Sequence, residues 1–213
     1  MTDDVAVLDA LRAAILDGEY AAGQRLVEVD LCERFGCGRF AVRAAIPVLA
    51  SEGLVDVQRH RGARVRIIPL SEAIEITEVR RLLEGLTAAR AAERVTPDEA
   101  AELEDIVREM RVAVEAAELL RYSDANARLH AAIRDLAAHE TAARLLRQLR
   151  DQTVRHQFTL SLVPGRPAVS LPQHEAIVAA VTARDPAAAE RVMHEHLQSV
   201  IEALQALPVA ALR

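Results

Sequence analysis

Asp30 to Val55 reads DLCERFGCGRFAVRAAIPVLASEGLV, and the spacing of its apolar residues predicts two short helices around a tight turn. Leu31 and Phe35 lie on one side of the first helix, and Gly36, Cys37 and Gly38 interrupt it. Two glycines within three residues permit the positive φ and close backbone approach that such a turn demands. Val42, Ala45, Ile46 and Leu49 then recur at intervals of three and four, so one face of the second helix is buried. Arg39 and Arg43, four apart, share an outward face near its start. That geometry is a helix-turn-helix, whose second helix presents its N-terminal residues to the major groove of DNA. Arg39 and Arg43 are the expected entering edge.

The flanking chain extends the pattern. Upstream, Leu8, Leu11 and Ile15 form the stripe of a helix over Val5–Leu16, with Asp3 and Asp4 at its start. A glycine-bounded turn, Gly18 to Gly23, leads into a short extended piece, Gln24 to Val27. Downstream, Val55 and Val57 alternate with Asp56 and Gln58, and Val65 and Ile67 with Arg64 and Arg66. His60, Arg61, Gly62 and Ala63 supply the tip of a β-hairpin. A hairpin after a helix-turn-helix is a wing, and Arg61–Gly62 at its tip can enter a minor groove, where negative potential favours arginine. An ordinary surface hairpin with solvated arginines is the competing reading.

Composition agrees with a helical protein. Of 213 residues 51% are hydrophobic but only five are aromatic, so the core must be built from Ala, Leu, Val and Ile. All 26 basic residues are arginine, as codon bias in a GC-rich genome would produce. The net charge of −6 is the wrong sign for a DNA binder until it is divided. Residues 1–69 carry 9 Arg against 10 acids (−1), and residues 70–213 carry 17 against 22 (−5). Within Arg39–Arg66, however, six arginines face only Glu52 and Asp56, a local +4. Local charge governs phosphate attraction, and it gathers around the reading helix. Cys32 and Cys37 flank the turn; a disulfide there would strain it, and two thiols make no zinc site. They read as reduced packing thiols. No apolar run reaches the ~20 residues of a membrane span and no signal pattern opens the chain, so a cytoplasmic location is expected.

After Pro69-Leu70-Ser71, the expected domain boundary, the pattern is helical throughout. Ser71 is the expected cap of the first helix. Helices are predicted near 71–94, 97–117, 119–137, 140–161, 172–183 and 185–206, with Val163 to Pro167 as a loop. Thr96-Pro97 and Asp185-Pro186 mark clear starts, since proline suits the first helical position. The fold class is therefore mainly α: a winged helix-turn-helix over 1–69, then an all-helical bundle of about six helices over 70–213.

Within the bundle, Tyr122, Asn126, Leu129, Ile133 and Leu136 step by four, three, four and three, placing Asn126 on the buried stripe. His130 follows one turn later on the same side. His174 aligns with Ile177, Val178 and Val181; His196 aligns with Met193, Val200 and Leu204. His194, two residues away, must face elsewhere. Three inward histidines and an amide on three helices can converge as a metal site in a bundle core. Three imidazoles and an oxygen suit a divalent ion, zinc first, with nickel, iron or manganese as alternatives, and leave positions for water or an acid. Any one histidine alone would read as a hydrogen-bonded core residue.

These segments together resemble the GntR superfamily of bacterial transcription regulators, in the FadR-like branch that carries an FCD effector domain. In the first domain the resemblance rests on LRAAILDG (11–18), GQRLVEVDL (23–31), RFAVRAAI (39–46), EGLV (52–55) and RGARV (61–65). In the second it rests on EVRRLLEGL (78–86), NARLH (126–130), QHEAIVAAV (173–181) and HEHL (194–197). The family's metal motif is a carboxylate or Asn four residues before a His, followed by two His 22 apart. Asn126, His130, His174 and His196 match it. The resemblance places Arg39 and Arg43 on DNA-contacting positions, Gly62 on the wing-tip glycine, and Arg80 where relatives can pair with an effector carboxylate. A surface partner to Glu84 is the alternative reading for Arg80. The chain departs from the family at Gly38, Phe40 and Ala41, where Ser or Thr, Thr, and Pro are usual. Phe40 then offers a ring at the DNA-facing edge instead of a hydroxyl. Pro47 within the helix removes an N–H and costs ~3 kcal/mol unless the helix bends.

The implied protein is a homodimeric, ligand-responsive repressor, not an enzyme, that binds a double-stranded operator. Its bundle would hold a divalent metal and a small carboxylate effector. Two alternatives are a purely metal-sensing regulator and an all-helical metalloenzyme. Against the enzyme stand the absence of paired Glu-x-x-His motifs, a nucleophile elbow or a phosphate loop, and no evident inward acid beside the histidines.

Overall fold

The computed structural model describes residues 2–58 and 62–207. They fall into two compact units. One comprises residues up to Pro69 together with Arg150–Arg155; the other comprises Leu70–Leu149 and the residues from His156 onward. Among the described residues no helix is long and apolar enough to cross a membrane.

The first unit contains α1 (Thr2–Leu16), β1 (Arg25–Leu26), α2 (Glu28–Phe35), α3 (Arg39–Ser51), β2 (Val55–Gln58) and β3 (Gly62–Val65). Leu11, Ile15, Leu31, Val42, Ala45 and Leu49 are all buried, so the predicted stripes of three helices meet in one core. Gly36 ends α2 in the left-handed region at φ 60, and the Cys37 N–H donates to the Cys32 carbonyl at 3.1 Å. This is the C-terminal device that only glycine adopts without strain. Gly38 caps α3 with no side-chain hydrogen bond, as its missing hydroxyl requires. α3 continues through Pro47 without a break; this proline sits on the exposed face of the helix. Arg12 on α1 donates twice to the Glu52 carboxylate, at 2.9 and 2.8 Å, tying α1 to the end of α3.

The three strands form an antiparallel sheet in the order β1-β3-β2, with Val55 opposite Val65 and Gln58 opposite Gly62. The hairpin keeps its predicted alternation of faces, but burial does not follow it throughout. Val55 and Val65 are buried, but Val57 is 58% and Ile67 64% exposed. Alternation sets which face a side chain takes; Ala63, paired with Val57 on the central strand β3, is buried, whereas β2 is the edge strand and leaves Val57 to solvent.

The regular structure of the second unit, among its described residues, is helical: α4 (Leu70–Arg94), α5 (Pro97–Glu115), α6 (Leu119–Leu136), α7 (Glu140–Ser161, apart from its segment Arg150–Arg155), α8 (Arg166–Thr182) and α9 (Pro186–Gln205). Thr96 and Glu99 form a reciprocal capping box before α5, and Asp185 accepts from the Ala188 N–H at 2.9 Å before α9. The core is built largely of small and aliphatic side chains, including Ala88, Ala91, Ala92, Leu103, Met110, Leu129, Ile133, Ile177 and Met193. α4 and α9 run against each other at close range. Gly85 makes this possible: a Cβ there would lie 2.1 Å from His194 Nε2.

Two boundaries depart from expectation. α4 starts at Leu70, so Ser71 lies inside its first turn instead of capping it. α8 starts at Arg166, six residues before the predicted 172. Gly165, at φ 80, turns the chain into the helix, and Pro167 falls in the first turn, where its missing N–H costs no helical hydrogen bond.

Candidate functional site

Two groups of side chains stand out, one in each unit. In the first, Arg39 opens α3 and is exposed, Phe40 beside it is 77% exposed, and Arg43 lies one turn on. A ring that open to water has no packing role in the unit. Arg43 is not free: its Nε donates to both oxygens of Glu28 on α2, at 3.0 and 3.1 Å. The pair is largely solvent-exposed, so it costs little to exchange for another anion. Gly62 opens β3 at φ 82, the left-handed value a wing tip uses. Arg61 lies outside the described residues.

In the second unit, α6, α8 and α9 bring His130, His174 and His196 together. One ring nitrogen from each lies within 4.8 Å of the others. The ring centroids are 5.5 Å apart for His130–His174, 5.4 Å for His130–His196 and 4.4 Å for His174–His196. His174 and His196 are buried and His130 nearly so.

Each imidazole is engaged at Nδ1. His130 Nδ1 lies 2.7 Å from Glu84 Oε2, His196 Nδ1 2.9 Å from Gln173 Oε1, and His174 Nδ1 3.2 Å from the Tyr122 hydroxyl. A carboxylate and an amide oxygen only accept, so His130 and His196 carry their proton on Nδ1 and present a bare Nε2. His174 Nε2 is buried with no partner, and so is the Asn126 side-chain oxygen one turn before His130. Orphaned buried acceptors beside two imidazole lone pairs form the donor set of a divalent-metal site, and these residues fit one. Asn126, His130, His174 and His196 would hold it. Bound there, such an ion would act as a Lewis acid and anchor for a carboxylate or water.

The electrostatics favour the same state. Burial, helped by the neighbouring imidazoles and Arg166, holds His174 well below the ordinary histidine range; burial and His130 do the same to His196. Both rings are thus kept neutral. Burial alone would push the Glu84 carboxyl up, but the charge of Arg80 and the hydrogen bonds from His130 and Arg80 outweigh it and hold it well below the usual range.

Two expectations need correcting here. Arg80 is no surface partner: it is 6% exposed, and its Nε and Nη2 both donate to Glu84 Oε1, at 2.9 and 2.6 Å. The i,i+4 pairing with Glu84 is real, but it is buried in the bundle. Second, an inward acid does stand beside the histidines, because the other Glu84 oxygen meets His130. Glu84, Gln173 and Tyr122 were not among the expected site residues. Gln173 adjoins His174 and Tyr122 precedes Asn126 by one turn, so only their helical positions hinted at them.

A wing and an exposed two-helix reader in one unit, and a separate helical unit with a polar centre, are the marks of a DNA-binding regulator. The chain matches the model of the bacterial regulatory proteins of the gntR family over residues 4–65 and that of the FCD domain over residues 75–199. It is 28% identical over 195 residues to the HTH-type transcriptional repressor RspR of Escherichia coli K12, covering 92% of this chain and 86% of that protein. With the HTH-type transcriptional regulator LutR of Bacillus subtilis it shares 30% identity over 211 residues, covering 89% and 95%. The solved structure of E. coli McbR/YncC superposes with a TM-score of 0.79 at 22% identity, over 96% of this chain and 98% of that one, a likeness of fold. The chain belongs to the GntR family of bacterial transcription regulators, in the group that carries an FCD domain. It is a DNA-binding regulator, and its relatives are regulators rather than enzymes.

Proposed function

We propose that this regulator is a cytoplasmic, homodimeric repressor whose helical domain binds a divalent metal and, against it, a small organic acid that alters operator binding. Residues 1–69 are the reading domain in this proposal and residues 70–213 the sensing and dimerising domain. The observation that carries the metal assignment is the convergence of three imidazoles whose Nδ1 atoms are all engaged, so that Nε2 is left for a ligand role. Zinc suits this set best by ligand chemistry. Asn126 in place of a carboxylate leaves the ion its full double charge, which strengthens its pull on an anionic effector. Arg80 belongs to the effector site through Nη1, the nitrogen that Glu84 leaves unengaged.

On the DNA side, Arg39, Phe40 and Arg43 form the major-groove edge, and Arg61 with Gly62 the wing tip. Arg43 would exchange Glu28 for phosphate or a guanine edge, where a guanidinium binds in a bidentate manner. Phe40 would meet a thymine methyl or sugar face.

The test pairs metal analysis with operator binding. Protein stripped with chelator and reconstituted with zinc should retain a stoichiometric ion, and His174→Ala should not. Operator fragments recovered by genomic pull-down should be two-fold symmetric. Failure of the wild-type protein to retain any divalent ion after reconstitution would overturn the metal assignment and leave the DNA-reading assignment standing.

A further inference from the structure

The chain has two cysteines, and both lie at the turn of the reader. Cys32 is in the last turn of α2, and Cys37 stands two residues before α3. Gly36, in the left-handed region, lets the Cys37 N–H reach back to the Cys32 carbonyl at 3.1 Å. This closure across a left-handed glycine is the Schellman motif, and the two residues it bonds are the pair whose side chains meet over the helix end. Here both are cysteine. Each packs partly buried against the core of the first unit, so each keeps an edge to solvent. A peptide N–H bonded to a peptide carbonyl sets the two Cα atoms roughly 6 Å apart, inside the range of about 4.4–6.8 Å that a disulfide spans.

We propose that Cys32 and Cys37 are a redox pair, which hydrogen peroxide converts to a disulfide that lowers operator affinity. One thiolate attacks a peroxide oxygen and breaks the O–O bond. Its sulfur becomes a sulfenic acid, and the departing hydroxide takes up the thiol's proton and leaves as water. The second thiolate attacks the sulfenic sulfur, forms the S–S bond and expels hydroxide, which the second thiol's proton converts to water. Two thiols and one peroxide thus give one disulfide and two waters, with two electrons passing from sulfur to oxygen.

Sulfurs in packing contact stand roughly 4 Å apart and bonded ones about 2 Å, so the bond pulls the two sides of the turn together. The sides differ in how they yield. Cys32 is held within α2, next to the buried Leu31. Cys37 leads instead to Gly38, where a Cβ would meet nothing within 4 Å and α3 has no side-chain cap. The movement therefore falls on Gly38 and on Arg39, the first residue of α3. A ring this short gains little from restricting the unfolded chain, and the pull strains the turn. Such a bond is labile, the kind that reducing compartments tolerate as a signal and not as a staple. The switch rests on α3 as the reading helix, as given above.

Intact mass and peptide mapping of the full-length protein after hydrogen peroxide read the bond. Fluorescence anisotropy on an operator fragment from the genomic pull-down reads the switch. The monomer should lose the mass of two hydrogens, the link should map to Cys32 and Cys37 of one chain, and dithiothreitol should reverse it. Operator affinity should fall by at least about tenfold, the scale of one misplaced bidentate contact, and return with the thiols. Cys32→Ala and Cys37→Ala should each bind equally with and without peroxide, which separates the pair from oxidation of the methionines. Mapping the wild type needs no variant, so the bond is tested whether or not an alanine variant folds. Peroxide giving only sulfinic or sulfonic acids, or only links between chains, overturns the proposal. A mapped bridge with unchanged operator affinity overturns it too, and Arg43→Ala in the same assay shows whether the reading edge has failed with it.

Discussion

Glu84 and His130 lie on different helices and meet at 2.7 Å, with the second oxygen of the same carboxylate held by Arg80. A buried carboxylate thus orients a histidine of the polar centre while itself being fixed by a buried guanidinium. Glu84→Gln keeps the shape and removes the charge. It leaves Arg80 buried without a counter-ion, so chemical denaturation of the metal-free protein should show a loss of about 3 kcal/mol. Zinc affinity, read by competition with a chromogenic chelator, should fall by about 10- to 100-fold. Unchanged affinity would mean that Glu84 does not orient His130.

The neutral state of His174 and His196 makes the metal-free protein acid-sensitive. An unfolded imidazole takes up a proton near pH 6.5, whereas burial keeps these two rings from doing so until far lower pH. Unfolding is therefore coupled to proton uptake below about pH 6.5. The stability they carry is fully present above that pH and is lost as pH falls from there towards their lowered folded values. Thermal melts of chelator-treated protein between pH 7.5 and 5 should show a falling midpoint, and zinc should suppress the fall. A flat profile would contradict the burial of neutral rings.

Gly85 has no room for a side chain against His194. Gly85→Ala should destabilise the protein by about 1–3 kcal/mol through overpacking. The double variant Gly85→Ala with His194→Ala should recover most of the loss, because it removes the clashing ring. Additive losses in the double variant would place the strain elsewhere.

Arg43 reaches Glu28 across the turn of the reader. Arg43→Ala should abolish the operator shift in a gel assay, and its weak binding to unrelated DNA at low salt should show a log–log salt slope shallower by about one. Glu28→Gln should act the other way, freeing Arg43 and strengthening binding to unrelated DNA at low salt. Operator binding by Arg43→Ala equal to wild type would move the reading edge away from α3.

Much of this was legible from spacing. The helix-turn-helix stripe lies in a local repeat, and each of His130, His174 and His196 falls on the apolar face of its own helix, which one-dimensional periodicity reports directly. What periodicity does not carry is the partner across a helix crossing. Glu84 is visible from sequence only as the i+4 neighbour of Arg80; that its other oxygen reaches His130 depends on how α4 and α6 cross. Arg166 was hidden for another reason. Pro164, Gly165 and Pro167 read as a loop, and a residue in a loop has no face. Once Gly165 turns the chain and Pro167 fits the first turn, Arg166 aligns with His174. Val57 errs in the opposite sense: its alternation was correct, but it lies on the edge strand, and only its partner Ala63 on the central strand is buried.

α4 is an unbroken helix of 25 residues that starts at Leu70, directly after Pro69. Glu84 lies 84 − 70 = 14 residues along it, about 21 Å at 1.5 Å per residue. A continuous helix of that length behaves as a rod, and Gly85 locked against His194 gives it a fulcrum beside the histidines. Whatever turns Glu84 by a few degrees at the polar centre is therefore shared along the whole length of α4, as a swing against α9 rather than a bend within the helix.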